Sequence, residues 1–209
     1  NETQRFAIFI TGNAAAEQWN QKAKPVSFYN LKAIVDGIIE KLNIKDVIVA
    51  DSTCSKLAYG LQYTRGNKVL VKFGAVAATA LKKADVDKEV FYADFNFDVV
   101  MQLARKNKIV YQEVSKFPAV RRDLSMLVDK AVTFEQVKQV ALKTERKLLK
   151  EVNVFDVYEG DKLPAGKKSY AVSFILQDAE KTLTDKAIDA IMQKLIFNLG
   201  KEAGAEIRK

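Results

Sequence analysis

The sequence contains no histidine. That absence removes the side chain most often used as a general base and as a metal ligand at neutral pH. A Ser-His-Asp or Cys-His nucleophilic site is therefore excluded within the chain, as is a zinc site of the usual Cys/His kind. The single cysteine, Cys54, excludes an internal disulfide framework and suits a reducing, cytoplasmic setting. Three prolines and nine glycines in 209 residues leave little room for linker or disorder. No run approaches the ~18 uncharged apolar residues of a membrane-spanning helix, so no membrane partner is expected. The N-terminus reads Asn1-Glu2-Thr3, with neither an initiator methionine nor a basic segment leading into an apolar run. It suggests a piece of a longer protein with no visible secretion signal. Asp85, Asp87 and Glu89 come closest to a carboxylate cluster, but calcium-loop spacing is missing and a solvated loop is the simpler reading.

What is present is an ordinary globular composition, 48% hydrophobic and 29% charged. The net charge is +8, compatible with a polyanionic partner without establishing one. The excess is evenly divided. Residues 1–113 carry 16 basic and 12 acidic side chains, and residues 114–209 carry 18 and 14, so each part is +4. Charge alone does not say which part meets a nucleic acid.

Periodicity divides the chain at the same place. In residues 4–11, Phe6, Ile8 and Ile10 alternate as in a strand. Residues 27–42 place Phe28, Leu31, Ile34, Val35, Ile38, Ile39 and Leu42 on one helical stripe. Residues 46–51, 68–76 and 90–97 read as further strands. An antiparallel sheet with helices on one side fits this part. The second part reads strand 121–129, helix 133–149, strand 150–159, strand 168–178, helix 184–203 and a short strand 205–208. Thr133 with Gln136 forms a capping box, and Gly204 closes the last helix. The order β-α-β-β-α-β is the split βαβ of ferredoxin-like folds, and the whole chain is α+β. That fold hosts unrelated activities, so function needs more specific residues.

Such residues are present. Val114-Ser115-Lys116-Phe117-Pro118-Ala119-Val120-Arg121-Arg122-Asp123 resembles the signature that opens the ferredoxin-fold anticodon-binding domain of bacterial-type phenylalanine–tRNA ligase β subunits. Phe155-Asp156-Val157-Tyr158-Glu159-Gly160 is similar to a second block of that family, as are Lys168-Ser169 with Ala171, Leu176-Gln177-Asp178 with Thr182-Leu183-Thr184, and Gly204-Ala205-Glu206-Ile207-Arg208. Five blocks in order over some 95 residues make the resemblance specific. Residues 1–113 resemble the same subunit's synthetase-like domain through Gly12-Asn13, Trp19-Asn20 and Val26-Ser27-Phe28-Tyr29-Asn30-Leu31-Lys32, and more loosely through Phe73-Gly74-Ala75-Val76 and the segment from Phe91 to Phe95. The family's His-Pro-Gly stretch is missing where Leu61-Gln62-Tyr63 stands, which weakens the match between about residues 45 and 68.

The resemblance implies a class II synthetase-like antiparallel domain over residues 1–113 and an anticodon-binding domain over residues 114–209. It implies an α2β2 enzyme that joins phenylalanine to its tRNA with ATP and magnesium in an active site carried by the α subunit. The partners implied are tRNA(Phe) and that α subunit; DNA is not among them. No cofactor and no catalytic residue is expected within this piece. In keeping with that, Arg5, Arg65 and Arg105 stand alone rather than in a phosphate-gripping motif. Two other uses of the ferredoxin-like fold stay open: an amino-acid-sensing or regulatory domain, and an acylphosphatase-type hydrolase. Both lack their expected loop, since Asp129-Lys130-Ala131-Val132 carries neither glycine nor arginine.

Strand alternation then assigns faces in the second part. Tyr170, Val172, Phe174, Leu176, Leu124, Met126, Val128, Phe155 and Val157 should meet the helices. Asp123, Ser125, Leu127, Asp156, Tyr158, Ser169, Ala171, Ser173, Ile175, Gln177 and Arg208 should face outward. That outer face is small, polar and flat, with one aromatic, Tyr158, a surface of the kind that recognises splayed bases by stacking and edge hydrogen bonds. Arg121, Arg122, Lys167 and Lys168 are expected at its rim as phosphate contacts. Phe117 and Pro118 are expected to pack a domain junction, and Trp19 to serve as an interface or core anchor.

Overall fold

A computed structural model describes residues 2–107, 111 and 113–207. The chain separates into two compact units, residues 1–110 and 111–209.

The first unit comprises β1 (Arg5–Thr11), β2 (Asn13–Ala15), β3 (Lys24–Pro25), α1 (Phe28–Lys41), β4 (Ile48–Asp51), β5 (Leu57–Arg65), β6 (Lys68–Val76), α2 (Ala78–Lys83), β7 (Val90–Asn96) and α3 (Phe97–Ala104). Five strands form an antiparallel sheet in the order β1-β7-β6-β5-β4. A reciprocal pair of Ser27 and Asn30 opens α1, the Asn30 Oδ1 accepting from the Ser27 amide at 2.8 Å. Leu31, Val35 and Ile39 of α1 and Val100 of α3 close over Tyr63, Val71, Phe73, Ala93 and Phe95. These strand residues pair with one another across the ladders and so share one face. The opposite face carries Gln62, Lys72 and Asp94 in register, with Gly60 opposite Gly74.

Strand β5 was not anticipated, although Leu57, Tyr59, Leu61 and Tyr63 alternate through it. Helix α3 was not anticipated, and only its first residue, Phe97, was expected, as the end of a strand. There Asn96 caps the helix by accepting from the Val99 amide at 3.2 Å, which turns the chain immediately after β7.

The second unit comprises β8 (Val120–Asp129), α4 (Phe134–Thr144), β9 (Leu149–Tyr158), β10 (Lys167–Leu176), α5 (Asp185–Ala203) and β11 (Glu206–Ile207). Its sheet is antiparallel in the order β11-β8-β10-β9. This is the ferredoxin-like topology expected from the alternation pattern. Val137 and Ala141 of α4 and Ile188, Leu195 and Leu199 of α5 pack on Met126, Val128, Val172, Phe174 and Leu176. Several of these are fully buried, and each of the larger ones, Val, Leu, Ile, Met or Phe, contributes about 1.5–3 kcal/mol of apolar burial. The Thr133 Oγ1 caps α4 by accepting from the Gln136 backbone amide at 3.3 Å, and the Gln136 Oε1 in turn accepts from the Thr133 amide at 2.8 Å. Gly204 ends α5 in the left-handed conformation, φ 61°.

Helix α4 stops at Thr144, five residues before the expected end at Leu149. The Glu145 carboxylate accepts from the amides of Lys147 and Leu148 at 2.9 Å each, and this local turn outcompetes another helical turn. Leu149 is thereby freed to enter β9 and the core.

Candidate nucleic-acid interface

Paired residues of an antiparallel ladder share a face, so register sorts the side chains of the second sheet. Val172 stands opposite Leu124 and Tyr170 opposite Met126, all on the helical side. On the other side, Ser173 stands opposite Asp123, Ala171 opposite Ser125, and Ser169 opposite Leu127. Across the next ladder, Ser169 pairs with Tyr158, Ala171 with Asp156, and Ser173 with Asn153. The structure thus brings Asp123, Ser125, Asp156, Tyr158, Ser169, Ala171 and Ser173 onto one outer face. Arg121, paired with Ile175, belongs to it as well.

The two serines differ from their expected role. Ser173 and Ser169 are only 4% and 7% exposed, so they form the floor of the face rather than its reading edge. The Ser173 hydroxyl donates to the Asn153 carbonyl at 3.4 Å. Asp123, Ser125, Asp156 and Tyr158 are the exposed members.

Three placements differ from expectation, one from the alternation reading and two from the rim of basic residues. Phe155 was expected among the helices, but it is 51% exposed. The ladder skips it: Asp156 stands opposite Ala171 and Val154 opposite Val172, which leaves Phe155 as the extra residue of a β-bulge. A bulge residue loses the alternating parity of its strand. Its ring lies beneath the guanidinium of Arg121, 5.1 Å from the ring centroid, and this contact sets Phe155 on the outer side. Arg122, paired with Phe174, lies on the helical side, where its Nη2 donates to Asp185 at 3.4 Å. Lys168, paired with Val128, is also on the helical side, nearly buried with its ammonium 4.9 Å from the centroid of Tyr170. Neither reaches the outer face, because residues at odd spacing from Arg121 and Ser169 point the other way. Val157 keeps its expected side opposite Tyr170 but is half exposed. Arg208 lies outside the described residues.

The remaining basic side chains are engaged within the protein. The Arg121 Nε donates to Asp123 at 2.8 Å, and that bond raises the guanidinium pKa above its ordinary value. Lys167 reaches Asp129 at 3.1 Å and Glu206 at 3.4 Å. Its hydrogen bond to Asp129 raises the ammonium pKa first, with Glu206 adding to it. Such pairs offset much of the attraction these cations would offer a phosphate.

Tyr158 is 41% exposed, and its ring rests against Gly160. The Gln177 amide donates to the Phe117 carbonyl at 2.8 Å, tying the segment before β8 to the end of β10. Phe117 is partly buried and Pro118 exposed.

In the first unit, Trp19 is 97% exposed and therefore no core anchor. Arg5 pairs with Asp94 at 2.5 Å and Arg65 with Asp46 at 3.8 Å, while Arg105 is the exposed C-cap of α3. Among the described residues no group of three His, Cys, Asp or Glu side chains is placed to hold a metal ion. No helix among them is long and apolar enough to cross a membrane.

Comparison with known proteins follows the same division. Residues 115–208 match the model of the ferredoxin-fold anticodon binding domain. Residues 1–97 match that of the phenylalanyl tRNA synthetase beta chain CLM domain. The chain is 46% identical over 211 aligned residues to the phenylalanine–tRNA ligase beta subunit of Bacteroides thetaiotaomicron, 38% over 210 to that of Porphyromonas gingivalis and 34% over 210 to that of Bacillus subtilis. These alignments take in 99–100% of the chain and 26% of each relative, so the chain spans about a quarter of their length.

Proposed function

The chain belongs to the phenylalanine–tRNA ligase β-subunit family, and from that premise we propose that its second unit holds the anticodon region of tRNA(Phe) on the outer face of its sheet. The first unit is a non-catalytic support that docks the ligase α subunit within an α2β2 enzyme. Aminoacylation, with its ATP and magnesium, takes place in the active site of α. No chemical step is assigned to this chain.

One observation carries the reading. Both helices of the second unit pack on one side of its four strands, leaving Asp123, Ser125, Asp156 and Tyr158 exposed on the other side around a floor of Ser169, Ala171 and Ser173. Single-stranded bases are held by such faces through stacking and hydrogen bonds to their edges. Exposed carboxylates accept from exocyclic amino groups, and the serine hydroxyl both donates and accepts. With Arg121 and Lys167 already paired to carboxylates, few phosphates are neutralised, so binding by this chain alone is weak and only mildly salt-dependent. The whole enzyme adds contacts from its other parts, and avidity supplies the rest.

Titration of the isotope-labelled chain with an anticodon stem-loop of tRNA(Phe) tests this. Amide shifts are expected at Ser125, Asp156, Tyr158 and Ala171. Shifts confined to the helical side, around Lys138 and Lys194, would sink it.

A further inference from the structure

The outer face holds a second aromatic side chain that strand parity alone would have sent into the core. Tyr158 and Phe155 are three residues apart on β9, an odd spacing that places side chains on opposite faces of a regular strand. The bulge removes one residue from the count and puts both rings on the same side. Phe155 is 51% exposed and Tyr158 41%. Both rings therefore stand partly in water on a face with no helix over it in its own unit.

We propose that this face seats two consecutive unpaired nucleotides, one base stacked on Tyr158 and the next against the pair formed by the Phe155 ring and the Arg121 guanidinium that lies over it. The inference rests on the anticodon-loop reading above and gives it a base-by-base form.

Spacing supports two bases that have left the stack. Three residues of strand, shortened by the bulge, set the two platforms about 7–10 Å apart at roughly 3.3 Å per residue. Stacked nucleotides rise about 3.4 Å each, so a stacked pair cannot use both rings. Unstacked bases of a loop can, one ring each.

Arg121 is built to serve the second position. It rises from β8 on the far side of β10, so its side chain crosses β10 to reach a ring on β9. The outward residues it passes are Ser173 and Ile175, and Ser173 is small and covered, at 4% exposure. Asp123 holds the guanidinium through the 2.8 Å bond that Nε donates to it. A planar cation held over an aromatic ring is a surface on which a base stacks as readily as on the ring itself. Asp156 stands between the two aromatics along β9, where its exposed carboxylate can accept from the amino edge of either base.

The test uses the whole 209-residue chain and the anticodon stem-loop of tRNA(Phe), complete or carrying a single abasic nucleotide at each loop position in turn. Phe155→Leu should weaken binding of the complete loop about 5- to 150-fold, the range for losing one base stack. Phe155→Tyr should retain it. The abasic loop that no longer distinguishes Phe155→Leu from the natural chain marks the base on Phe155, and Tyr158→Leu should pick out the neighbouring nucleotide. Unchanged affinity in Phe155→Leu, with a loss in Tyr158→Leu, overturns the two-base inference and leaves the anticodon-loop reading standing. The same abasic position emerging for both variants also overturns it. Failure of the natural chain to bind the loop overturns both. Because Phe155 is half exposed, Phe155→Leu leaves the core intact, and an unchanged unfolding midpoint verifies this.

Discussion

Arg122 donates to Asp185, the first residue of α5, from the helical side of the sheet, while its neighbour Arg121 points to the opposite face. Two adjacent cations of one conspicuous motif therefore face opposite sides of the sheet. Arg122→Ala removes a contact at 3.4 Å between partly exposed groups and should cost at most about 1 kcal/mol of stability. It should leave RNA affinity and its salt dependence unchanged. Arg121→Ala should leave stability nearly as it was and lower affinity for the anticodon stem-loop. Equal losses of affinity for both variants would mean that the sheet register does not govern recognition.

Lys167 offers a test by pH. Its ammonium pKa is raised above the ordinary 10.5, first by the hydrogen bond to Asp129 and further by Glu206. A group whose folded-state pKa is raised contributes stability that is fully present below the unfolded value and is lost as pH rises through the folded one. The stability difference between the natural chain and Lys167→Met should thus hold constant from neutral pH up to about 9 and close only in the alkaline range above the unfolded Lys value. Denaturant midpoints measured across that series report it. A difference that closes near neutral pH would show that Lys167 is not the group concerned.

Gly60 and Gly74 face one another across β5 and β6 at a distance that admits no side chain. A Cβ on Gly74 would lie 2.6 Å from the Gly60 Cα and against the Tyr59 carbonyl. The obstacle is backbone, which cannot rotate away. Gly74→Ala should therefore cost the first unit about 3 kcal/mol, the upper end of the range typical of overpacking. Amide spectra should locate the disturbance in β5, β6 and β7 and spare residues 115–207. An alanine variant as stable as the natural chain would require the two strands to stand farther apart.

Much of this architecture is legible in the sequence, for reasons that also explain the gaps. Alternation through Leu124, Met126 and Val128 and through Tyr170, Val172 and Phe174 gives the helical face directly, since each of these enters one core. The capping pair Thr133 and Gln136 marks the start of α4, whereas its end depends on the Glu145 carboxylate meeting two amides, a bond that no periodicity announces. Strand β5 was missed although its apolar residues alternate; Gly60, on the opposite parity, lowers strand propensity at the point where the fold needs close backbone approach. The bulge at Phe155 leaves no compositional mark, and without it parity sends that ring inward. Lys168 is a different case. It lies two residues from Tyr170, so alternation already places it with the helices, and its charge was a poorer guide than its position.

Gly160 bears on the site through Tyr158. A Cβ at Gly160 would lie 2.6 Å from the Tyr158 Cζ, so the aromatic ring occupies the space that only a glycine leaves open. Here the obstacle is the far end of an exposed side chain, which can swing aside. Gly160→Ala should accordingly preserve the fold and its unfolding midpoint while displacing the ring from its place over the loop. If Tyr158 is a base platform, this variant should lose part of the roughly 1–3 kcal/mol that one base stack contributes, approaching but not exceeding the loss in Tyr158→Ala. The two changes act on one contact, so their combination should be no worse than Tyr158→Ala alone. Titration of the four proteins with the anticodon stem-loop completes the cycle. Additive losses would assign Gly160 a role of its own in the turn and detach it from the ring.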